Sequence, residues 1–356
     1  MAGAFFYVKK VRNVILEMEG LSMSIQIKNL GKVQKSAYYL MREDARFIYS
    51  LVDLYKNVDN LDNNYVCMSM PYIGLFADGA EQWCKKVGLV VPRFTKEEKE
   101  YYSYLRGSIK ALERGYDDYI SSLRGFLHKS DEYFKGISLP GQEKYFNIGT
   151  DLFMGKYCGN TVLCASYNPF NCHIEEVGPR MRDMSVVAGK IAVSLGCDMF
   201  TPFWHSDMEA IYCDYHFYMD NPLKIKDDIG LLLFSILCSI NYVIVFIENY
   251  YLDDIPQKFK FAYLQYYYLC EFIPQINEKT GMNFKMDTSL MNRDFRNCLA
   301  HYGLGQYMKE TDIVKDDVLF GLTQKAFGKN YFETKVILFE ILKQLAEHIE
   351  KIVLEK

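Results

Sequence analysis

Arg296, Asn297 and His301 are the residues of this chain whose types and spacing suit a chemical step, within Arg296-Asn297-Cys298-Leu299-Ala300-His301. Asn297 and His301 are four apart, so on a helix they share a face. An amide there can hydrogen-bond one ring nitrogen and fix the tautomer that the imidazole presents. Arg296 sits about 140° round the helix from His301 and roughly 7.5 Å along it. Its long stem still lets the guanidinium swing toward the same cleft. A permanently charged fork suits phosphate, and a histidine takes or gives a proton near neutral pH. Together the three groups fit the cleavage of a phosphodiester.

The element that must hold them is one short helix within residues 287–305. Asp287, Thr288 or Ser289 is expected to cap its start, because a short side-chain oxygen accepts from the free amides of a first turn. Gly303 and Gly305 are expected to end it, since glycine enters the left-handed region without a Cβ clash. Leu290, Phe295, Leu299 and Tyr302 give it apolar contacts. Asp227 to Tyr250 and Lys258 to Glu278 read as two apolar helices before it. A polar connection at 306–330 and a strongly amphipathic helix from Tyr331 to Glu355 follow. The 18-residue run Gly230 to Ile247 is interrupted by Ser235, Ser239 and Asn241 and flanked by Asp227, Asp228 and Glu248. It reads as a buried bundle helix rather than a membrane span.

With its flanking helices, the motif resembles the R-x4-6-H signature of the HEPN superfamily, including the polar residue that commonly follows the arginine. The resemblance covers roughly the last 130 residues, a span of ordinary domain size. It implies an all-α fold, with residues 226–356 as a HEPN-like bundle of four to five helices and residues 1–225 as a larger, mostly helical accessory or sensing region. It further implies metal-independent cleavage of RNA, of a defence or toxin type, with no cofactor. The ribose 2′-hydroxyl would attack the adjacent phosphate, leaving a 2′,3′-cyclic phosphate and a 5′-hydroxyl. Arg296 would hold that phosphate and Asn297 would orient His301 or touch the ribose. His301 would serve as general acid or base, with the acid role favoured by the helix C-terminus. Arg293 and Tyr302 would contact RNA beside the motif. One motif supplies one arginine and one histidine, so a homodimer through the motif helix is expected, with an antitoxin or regulatory protein as a further partner. The rival reading is a non-catalytic HEPN-like module that binds a nucleotide or a partner protein.

Composition sets outer bounds. A net charge of −4 and no long basic run argue against wholesale electrostatic binding of duplex nucleic acid, so any RNA contact should be local. Ten cysteines without a compact framework point to reduced thiols in a cytoplasm, and the first ten residues do not read as a secretory signal. Cys158, Cys164, Cys172, His173, Cys197, His205, Cys213 and His216 crowd one stretch. None forms a C-x2-C knuckle, so no metal site is expected.

In the first half, residues 5–19 suggest an opening strand or helix, and Val33 to Asn57 has helical spacing. Pro71, Gly74 and Gly79 are expected to break the next segment, leaving a short helix from Phe76 to Val87. Thr95-Lys96-Glu97-Glu98 resembles a capping box, and a further helix is expected from Tyr116 to Phe134. Arg124 and His128 on that helix read as a solvated face. Residues 136–222, rich in Gly and Pro, read as irregular.

Overall fold

A computed structural model describes residues 27–57, 64–90, 93–137, 139–140, 147–166, 177–197, 210–251 and 254–354. The expectation for residues 5–19 lies outside them. Helix dominates, as the sequence suggests. Helix α1 (Lys32–Asn57) is followed by α2 (Asn64–Val87), α3 (Lys96–Ile109), a 3-10 turn at Ala111–Arg114 and α4 (Tyr116–Ile137). The capping box is present at α3: the Thr95 hydroxyl accepts from the Glu98 amide, and the Glu98 side chain accepts in return from the Thr95 amide.

Helix α2 corrects the expected break at Pro71, Gly74 and Gly79. It runs through all three, because tertiary packing overrides a weak local propensity. The glycines act as points of close approach. A Cβ at Gly74 would stand 2.6 Å from the Arg106 amide nitrogen of α3. One at Gly79 would stand 2.8 Å from the Ala300 carbonyl oxygen. Removing two side chains from one helix thus lets two others press against its backbone.

The expected irregular region holds a small antiparallel sheet, which an all-α reading lacks. Strands β1 (Asn147–Phe153), β2 (Lys156–Asn160) and β3 (Ala210–His216) lie in the order β2-β1-β3, with a register shift at Asp151/Leu152. Among the described residues, two helices sit between β2 and β3 in the chain: α5 (Thr161–Ser166) and α6 (Val177–Ser194). Strand β2 packs on α7 (Asp228–Asn241), where the Asp227 carboxylate caps the free amides of Ile229 and Gly230.

Helix α7 passes through a π-helical stretch at Tyr242–Phe246 into a final turn, Ile247–Tyr250. Among the described residues, Asp228–Asn249 is the one helix long and apolar enough to cross a membrane, and 78% of its most apolar window is buried by the rest of the chain. It is a core helix here. Helix α8 (Pro256–Thr280) begins with proline at its first turn and ends at Gly281 in the left-handed conformation. Then come α9 (Arg293–His301), α10 (Leu304–Tyr307), α11 (Leu322–Phe327) and α12 (Tyr331–Val353).

Helix α12 lies against α7 and α8, as a C-terminal bundle requires. Yet no seam in the core marks residue 225. One hydrophobic cluster runs from Leu30 to Leu354, with α9 packed on α2 and α10 on α1. The N-terminal helices are part of the body that holds the motif.

Candidate functional site

Helix α9 starts later and ends earlier than its flanking residues suggest. Asn292 is the cap, its side-chain oxygen accepting from the Phe295 amide at 2.9 Å, in place of Asp287, Thr288 or Ser289. The helix stops at Tyr302, which adopts a left-handed conformation (φ 54°), before either glycine. Tyrosines of α8 fix the entry. The Tyr263 hydroxyl donates to the Leu290 carbonyl at 2.9 Å, and the Tyr266 hydroxyl accepts from the Leu290 amide at 3.1 Å.

Tyr302 is a correction to the expected RNA contacts. It is 1% exposed, and its hydroxyl donates to the Asp44 carboxylate of α1. Lys260 of α8 pairs with the same carboxylate, and Gln257 donates to its other oxygen at 2.7 Å. Burial, then Asp44, hold the Tyr302 phenol far above its usual pKa. The residue is a buried clamp joining α1, α8 and the end of α9. Arg293 is exposed in the first turn of α9, at the opposite end from His301.

Arg296 is held tightly. Its guanidinium lies 3.4 Å from a Glu113 carboxylate oxygen and 5.1 Å from the Tyr267 ring centre, and its side chain is only 11% exposed. Glu113 also lies 3.8 Å from the Lys110 ammonium, so one carboxylate faces two cations. Beside them, Arg106 pairs with Asp78 at 2.6 Å. Asp78 precedes Gly79, where α2 touches the end of α9.

His301 sits among these charges. Burial is the main reason its pKa falls to about 4; Asp78 opposes the fall, whereas Arg296, Lys110 and Arg106 add to it. The imidazole is therefore neutral near pH 7. This reverses the expectation that the helix C-terminus would keep it protonated, because burial and three cations outweigh the partial charge of one helix end. Its Nδ1 is buried without a hydrogen-bond partner, so Asn297 does not orient the ring through that atom. The Nε atoms of Arg296 and Arg106 are likewise buried and unpartnered. Three such nitrogens in one neighbourhood is unusual, since buried polar groups are normally satisfied.

The structure therefore brings Arg296 and His301 into one half-buried polar cluster and adds Asp78, Arg106, Lys110 and Glu113, which lie far away in sequence. Arg106 and Lys110, four apart at the end of α3, were the available signal. Elsewhere, Arg124 pairs with Asp228 while His128 is exposed, consistent with a solvated face. Of the cysteine- and histidine-rich stretch, Cys158 is buried in β2, Cys213 and His216 lie on β3, and Cys172, His173 and His205 fall outside the described residues. The chain matches no protein-family model, no curated protein and no solved structure.

Proposed function

We propose that the chain is an endoribonuclease that cleaves RNA without a metal, with His301 as general base. The observation that carries this reading is a half-buried imidazole, neutral and with its Nδ1 unpartnered, beside Arg296, Arg106 and Lys110. A neutral ring can accept the 2′-hydroxyl proton as the 2′-oxygen attacks phosphorus, and the P–O5′ bond breaks to leave a 2′,3′-cyclic phosphate. The three cations offset charge developing on the phosphate. Lys110 gives the leaving 5′-oxygen its proton, since arginine does not deprotonate. These cations come from the same chain, so the reading does not depend on a second copy. A homodimer through the motif helix, an antitoxin and a toxin-type role follow from the HEPN resemblance alone, and a cytoplasmic location from cysteine usage and the first ten residues alone.

One observation favours a second reading, a phosphate-binding module that does not cut. Arg296 is already engaged by Glu113 and Tyr267, and a ligand must displace that carboxylate.

Incubating purified chain with single-stranded RNA in excess EDTA separates the two. Cleavage to cyclic-phosphate ends is expected, reduced about 10²–10⁴-fold in His301→Ala while the melting temperature stays within a few degrees. Cleavage that needs added magnesium sinks the mechanism. Saturable RNA binding with no products supports the binding module.

A further inference from the structure

Helix α3 has a second polar neighbourhood away from Arg106 and Lys110. A cavity of about 150 Å³ lies between α2, α3, α4, α7 and α8. Its lining is aromatic, with Tyr72, Tyr104 and Tyr119, and carries Arg114, Asp118 and Gln265. Tyr72 is buried whereas Arg114 and Asp118 are exposed, so the charged groups stand on the solvent side.

Arg114 and Gln265 are held in place. A Cβ at Gly107 would stand 3.1 Å from an Arg114 terminal nitrogen, so the guanidinium folds onto α3 where a side chain is missing. Burial raises the pKa of the Tyr104 hydroxyl, and Arg114 is the charge that opposes it. On the inner side, Gln265 donates to Ser239 Oγ at 2.8 Å, which donates in turn to the Ile236 carbonyl at 2.8 Å. That chain of bonds turns the Gln265 carbonyl oxygen into a fixed acceptor. The π-helical stretch of α7 begins at Tyr242, another lining residue, and such stretches recur at functional sites.

We propose that this cavity binds a pyrimidine nucleoside monophosphate, or a ligand of the same chemistry. Ligand sites combine an aromatic wall with a few fixed polar groups. A cavity of roughly 150 Å³ accepts one six-membered ring, which favours a pyrimidine over a purine. The ring lies among the tyrosines with its N–H toward Gln265. The sugar hydroxyls donate to Asp118, and the phosphate meets the Arg114 fork. The site is separate from the His301 cluster and needs no cleavage to operate.

Calorimetric titration of the intact chain with UMP, CMP, uridine and AMP tests it. Saturable binding of UMP or CMP is expected, with uridine and the Arg114→Ala variant each weaker by about tenfold or more. Ser122 is an exposed lining residue, and Ser122→Trp should abolish binding by closing the mouth without disturbing the core. A ligand held at the His301 cluster would survive that change, and survival would overturn the proposal. So would the absence of UMP and CMP binding at millimolar concentration, uridine binding as tightly as UMP, or AMP binding as tightly as either.

Discussion

His301 and Tyr302 are consecutive residues in opposite surroundings. Tyr302 is sealed, and its hydroxyl, the Lys260 ammonium and the Gln257 amide nitrogen all donate to the Asp44 carboxylate, with only Gln257 Oε1 left unpartnered. His301 lies among charges that leave its Nδ1 unpartnered. A buried cluster whose charge is matched by its own donors holds a fold together, whereas one in which cations crowd unmatched nitrogens is suited to meet something else. The first fixes the helix end, and the second sits on it.

Asp44→Ala should break this contrast most severely. It leaves Lys260 buried and uncompensated and should cost about 3–5 kcal/mol, read by chemical denaturation. A loss below 1 kcal/mol would mean that the cluster does not clamp the three helices. Gly74→Ala comes next. The new methyl gains some helix propensity but meets α3 backbone, for a net loss of about 1–3 kcal/mol. A neutral or stabilising result would show that α2 and α3 can part without cost.

These two tests also mark what was legible in the sequence. The ends of α1 and α12 and the start of α3 could be read from periodicity and capping residues. Pro71, Gly74 and Gly79 misled, because glycine signals a break locally and a close contact in three dimensions, and only the partner helix tells which. The sheet was hidden because β1 is buried almost throughout, which erases the alternation that marks a strand. The motif histidine could be found by spacing. Arg106 and Lys110 could be read only as a helical pair, and Asp78 and Glu113 not at all, since no periodicity links residues brought together by tertiary packing. Nor could the state of His301, which depends on the burial those helices provide.

A smaller effect is expected of Glu113→Gln, which removes the carboxylate facing both Lys110 and Arg296. Stability should change by about 1 kcal/mol or less. On the proposed reading, RNA binding should tighten several-fold in a filter assay. Weaker binding would instead assign Glu113 a role in holding the cations in place.

An effect of comparable size concerns pH. His301 has a folded pKa of about 4 against an ordinary 6.5, so between those values the unfolded chain binds more protons. Stability should therefore rise with pH across that window and fall as pH drops through it. The amount is on the order of 1–2 kcal/mol, less than the full shift because the ring is only half-buried. His301→Asn should flatten this slope in urea melts, and an unchanged slope would place the ring in solvent. If the chain cleaves RNA through this base, the acid limb of kcat/KM should lie near 4 rather than 6.5.

The division of the cluster between residues 78–113 and 296–301 has a consequence in time. A growing chain makes Asp78, Arg106 and Lys110 long before the histidine helix. Contacts so remote in sequence close late in folding, after the loop between them has been ordered. Until α9 docks onto Gly79, the cations have no imidazole beside them. On the proposed reading, a chain still being translated is harmless to the RNA around it, and activity begins only with the last long-range contact.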